Sequence, residues 1–132
     1  MNLKKHESIS ELTTLASVRA NYAYDQYDKL MGISQYESII LYELLTHPRL
    51  SQKELIYRSG IPKQSISKGI HKLSEQGYLK ITSDNQDKRV KYCALTESGL
   101  AYAREKEGEI LAIEKKVIDK LGFDRAALAC QI

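Results

Sequence analysis

Between Lys63 and Lys72 the chain gathers Lys63, Gln64, Ser65, Ser67, Lys68, His71 and Lys72. At about 100° per residue, Gln64, Lys68, His71 and Glu75 share one helical face, opposite an apolar stripe of Ile66, Ile70 and Leu73. Ser65, Ser67 and Lys72 flank that face. These groups suit hydrogen bonding in a DNA major groove. Glutamine can bond bidentately to adenine, lysine to guanine, and hydroxyls to base or phosphate. Base contacts come mainly from the N-terminal part of such a helix, which favours Lys63, Gln64, Ser65, Ser67 and Lys68 over His71. A solvated polar face is the plainer alternative for any one of them, less so for the group.

A second cluster follows at Asp84, Asp87, Lys88, Arg89 and Lys91. A guanidinium at a hairpin tip can enter a minor groove, where negative potential concentrates. Asp87 could hold Arg89 in place, or Asp84 and Asp87 could brace the turn, and the two roles are compatible. Lys53, Lys88 and Lys91 are expected on phosphates, which supply affinity and register without sequence information.

Other chemistries find less support. His6, His47 and His71 have no ligand-type spacing, so no metal is expected. Cys93 and Cys130 form neither a metal motif nor a disulfide framework. A redox sensor would need an exposed, low-pKa thiol. No nucleophile–base–acid set or phosphate loop is visible, so neither enzymatic activity nor a cofactor is expected. Nine tyrosines against one phenylalanine is unusual. Tyr22 and Tyr27, with Tyr36 and Tyr42, could line a pocket for an aromatic effector, although tyrosines more often fill half-buried packing sites with the hydroxyl reaching water.

The charge distribution supports the polyanion reading. From His47 to Lys91 ten lysines and arginines face four acids, a local +6, which leaves −3 for the rest of a chain whose net charge is +3. A basic middle between acidic flanks suits one lobe meeting a polyanion. With 132 residues, 42% hydrophobic and 28% charged, one globular domain is expected. No apolar run is long enough for a membrane span, and the basic start lacks the apolar core of a signal peptide. A reducing cytoplasm is therefore the expected location, on the bacterial nucleoid when DNA-bound.

Periodicity supplies the elements that must position these groups. Residues 7–30 carry apolar positions at three- and four-residue intervals and predict a long amphipathic helix stopped by Gly32. Ser34 and Glu37, then Ser51 and Glu54, have the capping-box form and open two helices. Pro48 closes the first and Gly60 the second. A third helix runs from about Lys63 to Gln76, with Gly69 on its apolar side for close packing. Two helices joined by a turn at residues 60–62 match the helix-turn-helix signature. Tyr78–Thr82 and Val90–Leu95 read as strands around a polar turn, a hairpin or wing. A last long helix spans about Leu100 to Leu121, and Asp124 is expected to cap a short one beyond Gly122.

The pattern resembles the MarR family of regulators. Asp84-x-x-Asp87-x-Arg89 followed by Leu95-Thr96-x-x-Gly99 is similar to that family's wing signature. Pro62-Lys63-Gln64-Ser65-Ile66-Ser67 resembles the start of its recognition helix, and Leu73-x-x-x-Gly77-Tyr78-Leu79 its end. The resemblance covers nearly the whole chain. It implies a mainly α (α+β) fold, a single domain over residues 1–132. A winged helix-turn-helix lobe would occupy residues 34–95, and residues 1–31 and 99–132 would form dimerisation helices. It further implies a homodimer on a pseudo-palindromic double-stranded DNA site, often a repressor released by a small-molecule effector. The rival readings are a winged-helix module for protein–protein interaction and a metal- or redox-sensing regulator.

Overall fold

The computed structural model describes residues 3–125. Its elements are α1 (Leu3–Met31), α2 (Gln35–Thr46), β1 (Leu50–Ser51), α3 (Gln52–Ser59), α4 (Lys63–Glu75), β2 (Leu79–Ser83), β3 (Lys91–Leu95) and α5 (Glu97–Leu121). This is the mainly helical winged helix-turn-helix architecture with long terminal helices that the sequence predicts. The chain divides into two compact units, one ending at Gln35 and the other beginning at Tyr36. No helix among the described residues is long and apolar enough to cross a membrane.

The first unit is essentially α1. Ile9, Leu12, Leu15 and Val18 recur at helical spacing and are exposed. Gly32 ends the helix at φ 71°, a left-handed conformation that glycine adopts without steric cost. Its N–H donates to the Lys29 carbonyl, satisfying one of the helix's last acceptors.

The second unit has one apolar core. Ile40, Leu41 and Leu44 of α2 are buried, as are Leu55 of α3 and Ile66, Ile70 and Leu73 of α4. Leu50, Leu79 and Cys93 line it from the sheet, Ala103 and Ile110 from α5. Each fully buried leucine or isoleucine contributes roughly 1.5–3 kcal/mol relative to an exposed one. Ser51 caps α3 in a complete capping box with Glu54, and Gly60 closes it in the left-handed region, both as the sequence predicts.

The sheet is antiparallel in the order β1-β3-β2. Leu79 pairs with Leu95 and Ile81 with Cys93 across the wing, while Leu50 pairs with Cys93 from the other side. The two wing strands start one residue later than the periodicity suggests. Tyr78 is taken up in closing α4, its N–H donating to the Leu73 carbonyl and its carbonyl accepting from Thr96 N–H. Val90 belongs to the wing turn, where its carbonyl accepts from Asp84 N–H and its N–H donates to Asp87 O. The short helix expected after Asp124 falls largely beyond the described residues, and Cys130 lies beyond them.

Candidate nucleic-acid interface

Recognition-type geometry begins with how α4 is seated. Its start follows Pro62, whose fixed φ suits a helix entrance and whose carbonyl accepts from Ser65 and Ile66 N–H. Its buried side is Ile66, Gly69, Ile70 and Leu73. A Cβ at Gly69 would lie 2.7 Å from Ile40 Cδ1 and 3.0 Å from Tyr36 Cδ2, so this glycine is what lets α4 lie close on α2. The opposite side is then forced outward. Lys63, Gln64, Lys68, His71 and Lys72 are exposed, with Ser65 and Ser67 half-buried.

These side chains are not equivalent. Lys72 Nζ lies 2.8 Å from Glu37 Oε1, and Glu37 is only 2% exposed. That hydrogen bond and charge raise the Lys72 pKa above the ordinary lysine value. Lys72 therefore ties α4 to the start of α2 as well as facing outward. His71 pairs with Glu75 at 3.0 Å, which keeps Glu75 on the helix surface. Lys68 Nζ sits 5.9 Å from the Tyr36 ring centroid. Ser67 Oγ accepts from Gln52 Nε2 of α3 at 2.5 Å. Lys53, Lys63, Lys88 and Lys91 make no ion pair among the described residues.

At the wing tip, Asp84 Oδ1 accepts from Gln86 N–H at 2.9 Å, a local turn brace. Asp87 does two jobs. Oδ1 accepts from Arg89 N–H at 3.0 Å, and its two carboxylate oxygens hold the guanidinium at 3.1 and 3.3 Å. The Arg89 side chain beside it keeps the Asp87 carboxyl below the usual carboxylate range. Bracing and holding, left open by the sequence, are both present.

Comparison with known proteins agrees with this geometry. Residues 31–90 match a family model described as MarR family. The HTH-type transcriptional regulator TcaR of Staphylococcus aureus is 31% identical over 94 residues, 70% of this chain. A MarR family regulator from Neisseria meningitidis superposes with a TM-score of 0.77 at 25% identity, covering 99% of this chain and 88% of that one. Over residues 31–90 the chain is similar to the MarR family. The match spans 62% of the length of TcaR. The fold is shared more widely: the PcaV transcriptional regulator from Streptomyces coelicolor, solved with its natural ligand, gives a TM-score of 0.63 at 23% identity. That alignment covers 88% of this chain and 84% of PcaV.

Other residues of the chain take less expected places. Lys53 lines a groove of about 380 Å³ with Leu50, Glu54, Tyr57 and Arg58. Tyr57 is 88% exposed there. Arg58 bonds Glu43 of α2, and the Arg49 guanidinium stacks 4.0 Å over the Tyr92 ring, joining the approach to β1 to the wing. The sequence marks neither Gln52 nor Arg49 and marks Glu37 only as a capping residue, because each acts across elements rather than along one. Gln52 carried a faint signal, a long amide directly after an N-cap serine.

The four candidate effector tyrosines fall in different units. Tyr22 is exposed and Tyr27 half-buried on α1. Tyr36 packs against Gly69 in the second unit, and Tyr42 OH donates to Glu114 Oε2 at 2.7 Å. Burial pushes the Cys93 thiol up, which disfavours the thiolate a redox sensor needs. No group of three or more metal-ligating side chains comes together among the described residues.

Proposed function

We propose that this protein is a MarR-type transcriptional regulator whose homodimer binds a pseudo-palindromic double-stranded DNA site. One observation carries the reading: α4 turns Lys63, Gln64 and Lys68 outward beside half-buried Ser65 and Ser67, on the same compact unit as an arginine-tipped wing. Lys63, Gln64, Ser65, Ser67 and Lys68 reach base edges, with His71 and Lys72 at the margin of the contact. Arg89, held by Asp87, enters the minor groove, and Lys53, Lys88 and Lys91 sit on phosphates. The exposed apolar positions of α1, together with Ile113, Val117 and Ile118 of α5, supply the dimer contact. Repression in the cytoplasm is the expected outcome of occupying an operator. Relief by a small-molecule effector is the expected control, and the ligand-bound PcaV structure supports looking for one.

The test is selection of bound duplexes from a random pool, followed by sequencing. A two-fold symmetric motif is expected, with sedimentation at about twice the 15.0 kDa chain mass. Enrichment of no motif, or a monomer bound to a single half-site, contradicts the reading. Failure to retain any duplex at low salt favours the protein-interaction module instead.

A further inference from the structure

Resting on that DNA-binding reading, we infer that Gln52 sets the hydrogen-bonding polarity of Ser67, and that Ser67 therefore acts as a donor toward a hydrogen-bond acceptor on the duplex.

A serine oxygen carries one proton to give and two lone pairs to receive with, and its rotor adapts to whatever surrounds it. A serine inside a helix commonly spends its proton on the carbonyl four residues back. Ser67 makes no such bond among the described contacts. Its one recorded partner is Gln52 Nε2, which donates to Oγ at 2.5 Å. The amide is a donor in this contact, so one Ser67 lone pair is filled and the proton is left to point elsewhere. Ser67 is half-buried on α4, next to exposed Lys68 and one turn from exposed Gln64.

Gln52 is well placed to hold this polarity. It is the first residue of α3, directly after the Ser51 cap, whose box with Glu54 fixes the helix start. Its side chain is half-buried, which limits the alternatives open to it. A free serine hydroxyl accepts from adenine or cytosine amino groups as readily as it donates to guanine or thymine oxygens. With Gln52 on one lone pair, the balance tips toward acceptors: purine N7, guanine O6, thymine O4 or a phosphate oxygen. Gln52 is thus a positioning residue that narrows what Ser67 can recognise without touching DNA itself.

A double-mutant cycle tests this, using Gln52→Met, which keeps length and packing but removes the amide, and Ser67→Ala. The probe is the duplex most enriched from a random pool by the unmodified chain, with a scrambled duplex beside it, at one salt concentration. Ser67→Ala is expected to weaken binding by about fivefold, the size of one ordinary hydrogen bond, and Gln52→Met by less, because the freed hydroxyl can still donate but is no longer oriented. The double variant is expected to be no weaker than Ser67→Ala alone. Repeating the selection with Gln52→Met distinguishes the acceptors. Relaxed preference at one position per half-site marks a base edge, whereas equal loss on every duplex with an unchanged motif marks a phosphate. Additive losses, or a full effect of Ser67→Ala with none from Gln52→Met, overturn the inference while leaving DNA binding intact. No binding by the unmodified chain removes the underlying reading, and the inference with it. Unchanged thermal unfolding of both variants separates these outcomes from misfolding.

Discussion

Asp87 grips Arg89 at three points, its carboxylate taking the backbone N–H at 3.0 Å and the guanidinium at 3.1 and 3.3 Å. The arginine side chain is 92% exposed, so the grip serves to aim it rather than to stabilise the fold. An aimed side chain loses less conformational entropy when it binds.

Arg89→Ala is expected to leave folding unchanged and to weaken specific DNA binding by about 1–3 kcal/mol. The salt dependence becomes shallower by about one phosphate-equivalent per subunit if the charge sits on the backbone. Asp87→Ala keeps the positive charge but frees it, so specific binding falls while binding to scrambled DNA holds or rises. Because the Asp87 pKa is lowered, the pair is complete above the ordinary carboxylate range and is lost only as pH falls through the lowered value. The Arg89 contribution, followed by fluorescence anisotropy, is therefore expected to be constant from about pH 5 to 8. Wild-type affinity in Arg89→Ala shows that the wing stays off the DNA.

Gly99 is required for space rather than for turning. A Cβ there would come within 1.9 Å of the Tyr78 carbonyl oxygen, a backbone atom that cannot swing aside. Gly99→Ala is expected to destabilise the chain by on the order of 3 kcal/mol, through forced displacement of α5 from the wing. Gly108, on the same helix with open space around its would-be Cβ, makes the control. Gly108→Ala is expected to stabilise by about 0.5–1 kcal/mol through helix propensity. Urea unfolding of the pair checks both signs, and equal effects refute the crowding argument.

Lys72 and Glu37 give a stability signal at alkaline pH. The Lys72 pKa is raised by its bond to Glu37, so its contribution is full below the ordinary lysine value of 10.5 and lost as pH rises through the raised one. Tyr102, raised mainly by burial, loses stability in the same direction, so only comparison with Lys72→Met isolates the ion pair. That variant is expected to be about 1–2 kcal/mol less stable at neutral pH, below the full cost of breaking a buried pair because Lys72 is half exposed. Its urea midpoint then falls less steeply above pH 10 than that of the unmodified chain. Parallel curves contradict a stabilising role for the pair.

What the sequence disclosed and what it hid follow from the range of each interaction. Helix-long periodicity exposed the Ile66/Ile70/Leu73 stripe, and with it the outward face of α4. Local chemistry fixed the Ser51–Glu54 cap and the left-handed Gly60. Contacts across elements left no such trace. β1 is two residues long, too short for alternation to show, and exists because Leu50 finds Cys93. Glu37 looked like a capping residue only, since nothing near it in sequence announces Lys72, 35 positions away. Gly99 belonged to a recognisable motif, but its reason is Tyr78, which only the folded chain brings near. Ser67 was legible as a contact candidate, whereas the amide that orients it was not.

In the proposed function one face of α4 reads bases while other lysines merely hold the backbone. The most direct test compares alanine substitutions at Gln64 and Lys68 with those at Lys53 and Lys91. Each variant is titrated against a selected operator and a scrambled duplex at one fixed salt concentration, because affinity is steeply salt-dependent. Gln64→Ala and Lys68→Ala are expected to lose specific affinity, by about 1–3 kcal/mol each, with non-specific affinity nearly unchanged. Lys53→Ala and Lys91→Ala are expected to lower both affinities about equally. Parallel losses on both duplexes in all four variants contradict the assignment of the reading face.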